Sequence, residues 1–313
     1  NKQAERTYKK LFEDLNGQQS QAINLANTFR RYEMYEDALN VYLLSEKINA
    51  KANFRIQKAQ LYDNLGKVNL MIEEYLNELA YNAKQKKMVM AKVQLFLNNN
   101  GIKSERNYQL VKKALLPHVR DEQGRTDFSE MLIWLFMQNA QYEMALRQAK
   151  ALDKRTNSDG KDVYDLGESF LDKKEYKLAV EAYDYVLQKG KNNFLFIEAN
   201  INKLYALTKS LREQQKQVSE LDNIYQQVIT DLGKNRNTVL LFANYAHFKA
   251  FYLHDLISAE HLLQDAMVIP GIDNYDLAEC KMEYADVLLL QGNIWESMLY
   301  YSQVEKDFKE HPI

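Results

Sequence analysis

The chain has 313 residues, of which 46% are hydrophobic and 27% charged, enough apolar material for a packed core and too much for disorder by composition. Ten glycines and three prolines are too few for a β-sandwich or a Rossmann-type fold, and a single cysteine, Cys280, excludes an internal disulfide framework. A net charge of −2 gives no global attraction to nucleic acid or anionic lipid, and the longest apolar run, about Met131–Met137, falls short of the roughly 18 residues that a membrane-spanning helix needs.

Apolar residues recur at three- and four-residue spacing along nearly the whole chain, and β-type alternation is missing, so the expected elements are helices. Residues 1–17 hold a first helix, about Lys2–Asp14, expected to cover the first hairpin. Short loop signals then fall at 98–101, 121–126, 156–160, 189–193, 232–237 and 270–274, which leaves segments of 30–40 residues, each the length of one helical hairpin. A common frame runs through them. Leu25, Ala26, Phe29, Tyr35, Ala38 and Tyr42 open it, followed by Ala59, Tyr62, Gly66 and Tyr75, with Met71 at a position where small residues are usual. Residues 84–117 read as a degenerate hairpin. Leu132, Phe136, Tyr142 and Ala145 resume the frame, and Leu166, Gly167, Phe170, Tyr176, Ala179 and Tyr183 fit it best. Residues 192–232 are a second degenerate hairpin with longer helices. Ala259, Leu263 and Ala266, then Ala285, Leu288, Gly292, Ile294, Ser297 and Tyr301, complete about eight hairpins over residues 18–309. The expectation is one all-α repeat domain over residues 1–313. Gly167 and Ala179 are small where two helices of one hairpin cross, and the large residues fill the space beside them.

These positions resemble the tetratricopeptide repeat family. The resemblance implies a right-handed superhelical solenoid of stacked antiparallel hairpins, with the first helix of each hairpin on the concave face. A richness in Asn, Lys and Tyr also resembles large tetratricopeptide proteins of Bacteroidota envelopes. By the family's frame, the concave-face residues are Ile23, Asn27, Arg30 and Arg31, then Gln60, Asp63 and Asn64, then Trp134, Met137 and Gln138, then Tyr164, Glu168 and Asp172, and finally Phe248, Phe251 and Tyr252. Aromatic and Arg side chains of this kind favour partner binding. The family's carboxylate clamp is not matched: Asn27 fits one place, but Ile23 stands where a Lys is expected and Gln60 replaces an Asn.

Signatures of chemistry are missing from the sequence. There is no G-x-G-x-x-G, P-loop, G-x-S-x-G, H-E-x-x-H or C-x-x-C. His247, His254 and His261 are seven apart, yet the turn expected at 253–255, with Asp255 as N-cap, puts them on different elements, so no metal is expected. Cys280 has no base encoded nearby and reads as structural. The basic runs Lys84, Lys86, Lys87, Lys92 and Lys173, Lys174, Lys177 read as solvated helix faces. Net charge is +4 over residues 1–100, +2 over 101–210 and −8 over 211–313, either compositional drift or an acidic platform for a basic partner.

The function expected is a non-enzymatic scaffold that binds a protein or peptide segment along its concave face, with no cofactor, no metal, no nucleic acid and no membrane span. The alternatives are a structural subunit of a bacterial cell-envelope assembly docking by an edge or the convex face, and a substrate-holding repeat domain of an enzyme. Residue 1 is Asn, and residues 306–313 carry no polar capping helix. The corresponding expectations are a trimmed chain that continues natively, a periplasmic or envelope location with the signal peptide removed, and self-association through uncapped ends.

Overall fold

The computed structural model describes residues 9–98, 104–121, 125–211 and 215–308. Residues 9–13 are helical, and sixteen further α-helices follow among the described residues. Part of the expected first helix, residues 1–8, lies outside the described residues, as do most of the loop at 98–101, the centre of the loop at 121–126, and residues 309–313. The chain divides into two compact units, Asn1–Gln141 and Tyr142–Ile313.

The N-terminal unit contains α1 (Gln19–Arg31), α2 (Tyr35–Ile48), α3 (Arg55–Asn64), α4 (Val68–Tyr81), α5 (Lys86–Leu97), α6 (Glu105–Arg120) and α7 (Asp127–Gln138). Helices α1 and α2, α3 and α4, and α6 and α7 pack as antiparallel neighbours. The Phe12 ring stacks on Phe29 of α1 at 5.7 Å, so the segment 9–13 packs on that helix. The C-terminal unit contains α8 (Tyr142–Thr156), α9 (Lys161–Asp172), α10 (Tyr176–Leu187), α11 (Phe196–Ser210), α12 (Gln215–Leu232), α13 (Val239–Tyr252), α14 (Leu256–Met267), α15 (Asn274–Leu290) and α16 (Ile294–Asp307). Here α9, α11, α13 and α15 lie side by side in succession, and α10, α14 and α16 each return against the helix before them. The whole is an all-α, TPR-like helical-repeat fold of stacked antiparallel hairpins.

One turn recurs at the end of five first helices. Met34, Lys67, Gln141, Glu175 and Asn293 donate their N–H to the carbonyls of Phe29, Tyr62, Phe136, Phe170 and Leu288, five residues back, at 2.8–3.0 Å. The residue before each donor has a left-handed backbone: Glu33 (φ 59°), Gly66 (φ 67°), Ala140 (φ 53°), Lys174 (φ 61°) and Gly292 (φ 85°). This is a Schellman-type helix end, which uses carbonyls that would otherwise lack donors. The five acceptors are the large side chains of the repeat frame, and all are buried. Each hairpin turn is therefore tied to a core position.

The second helix then brings a small residue to the crossing. Ala38, Ala179, Ala259 and Ser297 are fully buried. Ser297 satisfies its hydroxyl by donating to the Ala285 carbonyl at 2.8 Å. Gly167 faces the same crossing from α9. A Cβ there would stand 2.8 Å from the Tyr183 ring, closer than real contacts allow. The longer helices expected over 192–232 are α11 and α12, of 15 and 18 residues. They share one core with α13, built from Ile201, Leu204, Leu221, Tyr225, Leu241, Tyr245 and Phe248.

Candidate functional site

A polar groove of the N-terminal unit has a volume of about 730 Å³ and is lined from five helices and a turn. Helix α1 contributes Arg30 from its last turn, and α3 contributes Gln60, Asp63 and Asn64. Gly66 forms the turn, after which α4 sets Val68, Met71 and Tyr75 along the wall. Helix α5 adds Lys92, Leu95 and Phe96, and α6 adds Arg106, Asn107 and Leu110. The amphipathic period explains the division. On α4, Met71 and Tyr75 are one turn apart and buried, which gives the groove an apolar base. On α3, Gln60, Asp63 and Asn64 share the face opposite buried Lys58 and Tyr62 and stay in contact with solvent.

The start of α6 is fixed locally. Ser104 caps the helix by accepting from the Asn107 N–H at 3.2 Å, and the Asn107 side-chain amide donates to the Phe96 carbonyl at 2.8 Å. That pair ties the end of α5 to the first turn of α6 and sets Phe96 and Arg106 on the same groove. Arg30, Lys92 and Arg106 form no ion pair or hydrogen bond among the described residues. The one acidic side chain in the lining, Asp63, lies close enough to Tyr75 to matter electrostatically: burial, then the Asp63 charge, pushes the Tyr75 hydroxyl up to about 12. The groove thus presents three cations, one anion and several amides over an apolar base. Such a surface holds a polar chain by hydrogen bonds and charge.

The sequence-derived residues distribute unevenly. Arg30, Gln60, Asp63 and Asn64 come together in this groove. Asn27 and Ile23 lie half-buried on α1, and Arg31 is exposed at its end, but none of the three lines the groove. Trp134, Met137 and Gln138 lie half-buried on α7. In the C-terminal unit Glu168 and Asp172 are exposed on α9, whereas Tyr164 is buried. Its ring packs edge-on against Tyr183 at 5.4 Å, and its hydroxyl accepts from the Asn202 amide at 2.8 Å. Tyr164 is therefore an interior residue and not the concave-face one expected.

Phe248 also departs from expectation. It is fully buried and stacks between Tyr225 and Tyr252, with ring centroids at 5.4 and 5.7 Å. The physical reason is that α13 is apolar almost all round and packs against α11, α12, α14 and α15, so it keeps only a narrow free strip. Phe251 and half-buried Tyr252 occupy that strip with His247, whose ring lies 4.5 Å from Phe251. His247 Nδ1 is 3.0 Å from Glu283 Oε2 on α15. Burial, then the Glu283 and Asp276 charges, raises the Glu279 carboxyl.

Lys92, Phe96 and Arg106 were not among the expected site residues. Their segment had no repeat signature, and Lys92 read as part of a solvated basic run. The available signal was Ser104-Glu105-Arg106, an N-cap followed in the first helical turn by an acid and then by a cation, the charge that the helix dipole disfavours there.

Among the described residues no group of three or more His, Cys, Asp or Glu side chains is placed to hold a metal ion, and no helix is long and apolar enough to cross a membrane. His254 sits in the α13–α14 turn, and Asp255 caps α14 by accepting from the Ser258 N–H at 3.1 Å, so the heptad of histidines spans two helices and a turn. Cys280 is buried, and burial together with Asp276, Glu279 and Glu283 pushes its thiol up to about 12. A thiol so far from ionisation is no nucleophile near neutral pH.

No family model matches the chain, and no curated protein matches it. Among solved structures it is similar to a tetratricopeptide repeat protein from Parabacteroides merdae, at 13% identity and a TM-score of 0.41, over 95% of this chain and 93% of that one. It is also similar to the C-terminal part of a TPR repeat-containing protein from Cytophaga hutchinsonii, at 16% identity and a TM-score of 0.38, over 82% and 98% of the two chains. A third likeness is to yeast Tom70, at 12% identity and a TM-score of 0.38, over 92% and 68%. No residue role is carried across likenesses of this depth, and the fold assignment rests on the helices and turns described above.

Proposed function

We propose that the chain is a non-catalytic protein-binding scaffold whose N-terminal unit receives a segment of a partner in the groove formed by α1, α3, α4, α5 and α6. The observation that carries this reading is the groove itself. Successive helices deliver Arg30, Gln60, Asn64, Lys92 and Arg106 to one solvent-open face above an apolar base. A row of modest contacts from several hairpins sums to useful affinity.

Affinity capture from envelope and cytosolic fractions, read by mass spectrometry, tests it. Wild-type chain should retain a small recurrent protein set, and the double variant Gln60→Ala, Asn64→Ala should lose that set at an unchanged melting temperature. Capture of the same set by both chains would remove the groove from the function.

A second reading, self-association or docking through an edge, is favoured by a separate observation on the last hairpin. Ile294, Trp295, Met298 and Leu299 of α16 are all exposed, Trp295 to 85%. In the repeat frame Met298 corresponds to Leu39, Ile72 and Leu146, each buried. Light scattering over rising protein concentration should show mass growth that Trp295→Glu with Met298→Glu abolishes. A constant monomer mass would remove this reading.

A further inference from the structure

We propose that the groove of the N-terminal unit selects an extended, acidic segment of a partner protein, rich in Asp and Glu. The inference rests on the scaffold reading above and adds the chemistry of the partner. Arg30, Lys92 and Arg106 line one groove, come from three different helices, and pair with no carboxylate among the described residues. Elsewhere in this unit lysines do find partners: Lys58 bridges Glu46 and Glu74, Lys67 meets Glu36, and Lys86 meets Glu130. Against three cations the lining offers one carboxylate, Asp63.

Arg106 adds a second argument. It stands in the first turn of α6, where the positive end of the helix opposes a cation. The helix end adds its positive field to that of Arg106 for an anion in the groove, while Glu105 of the same turn turns its carboxylate oxygens to Gln109 and Asn139. Arginine also meets carboxylates through two parallel hydrogen bonds, which makes Arg30 and Arg106 suited to Asp and Glu side chains in particular. Gln60 and Asn64 line the same groove with side-chain amides that have no hydrogen-bond partner among the described residues, available to the backbone of an extended segment.

The test is selection of random peptides of about twelve residues, displayed on phage, against the full chain. The selected peptides are then synthesised and titrated against wild type, Arg30→Glu, Lys92→Glu and Arg106→Glu. The expected result is enrichment of net-negative peptides whose affinity falls roughly tenfold on each charge reversal and weakens steeply with added salt. Unchanged circular dichroism of the exposed-site variants Arg30→Glu and Arg106→Glu separates lost binding from lost folding. Neutral or basic peptides that bind the groove and are weakened by Gln60→Ala with Asn64→Ala would overturn the acidic assignment and leave the scaffold reading standing. Acidic peptides insensitive to all the groove variants would overturn both. Absence of any enriched peptide would overturn the acidic assignment and leave the scaffold reading to the capture experiment. Salt-sensitive self-association abolished by the same reversals would name the acidic residues 211–313 of a second copy as the occupant and overturn assignment to another protein.

Discussion

Lys58 of α3 is only 7% exposed and lies between two carboxylates, Glu46 Oε2 at 2.8 Å and Glu74 Oε1 at 2.9 Å. Burial alone would lower the Lys58 pKa, but the two carboxylates outweigh it and the net direction is up. Glu74 moves up as well, because its burial outweighs the attraction of the ammonium. Removing the shared cation leaves two facing carboxylates, so Lys58→Met should cost about 3–5 kcal/mol near neutral pH. The sign of the pH effect follows from Glu74: Lys58 holds its raised folded-state pKa down, so the variant raises it further and gains more stability than the wild type as pH falls through it. The deficit should therefore shrink between about pH 7 and pH 5, read from denaturation midpoints. An equal deficit at both would show that Lys58 acts through packing alone. Two smaller substitutions probe the hairpin turn and crossing. Lys174→Gly relieves a left-handed backbone and should stabilise by about 0.5–1 kcal/mol. Gly167→Ala puts a methyl against Tyr183 and should destabilise by about 1–3 kcal/mol. Cys280 should stay unmodified by a thiol reagent at neutral pH until the chain is unfolded, as labelling with and without denaturant would show.

The helical hairpin was the most legible element, because its packing demands particular side-chain sizes at fixed spacing. Phe29, Tyr62, Phe136, Phe170 and Leu288 stand at positions of the repeat frame that the family resemblance supplied, and all are buried. The turns were less legible. Only two of the five Schellman-type ends use glycine, at Gly66 and Gly292, while Glu33, Ala140 and Lys174 take the same backbone without the residue that signals it. The groove was legible in its α1 and α3 wall, where Arg30, Gln60 and Asn64 follow the repeat frame. Its α5 and α6 wall was not, because Lys92, Phe96 and Arg106 sit on helices that lack the small crossing residues. Tyr164 and Phe248 were misplaced for one reason: a frame gives the position along a helix, but the width of the exposed strip depends on how many neighbours press on that helix. Helix α13 has so many that Phe248 is sealed and only the strip around Phe251 stays open.

Over the whole molecule, side-chain and helix contacts within each unit run mainly between neighbours in the sequence. Stability in such an array is a sum of hairpin and interface contributions, which weakens the all-or-none character of unfolding. Trp134 belongs to the N-terminal unit, so a Trp295→Phe variant reports on that unit by fluorescence while circular dichroism reports on all helices. The two denaturation curves should have different midpoints, and coincident curves would show a single cooperative block. The same locality has a consequence in time. Arg125 reaches back to the Leu79 carbonyl, a separation of 46 residues, and most other side-chain hydrogen bonds close over shorter stretches of chain. Short loops close at small entropic cost, so chains with local contacts fold quickly. Synthesis delivers about 5–20 residues per second. The Schellman-type turn at 62–67 and the α3–α4 crossing can therefore be in place while α7 is still being translated. Each new hairpin then finds a finished one to pack upon, and the apolar crossing faces spend little time exposed during synthesis.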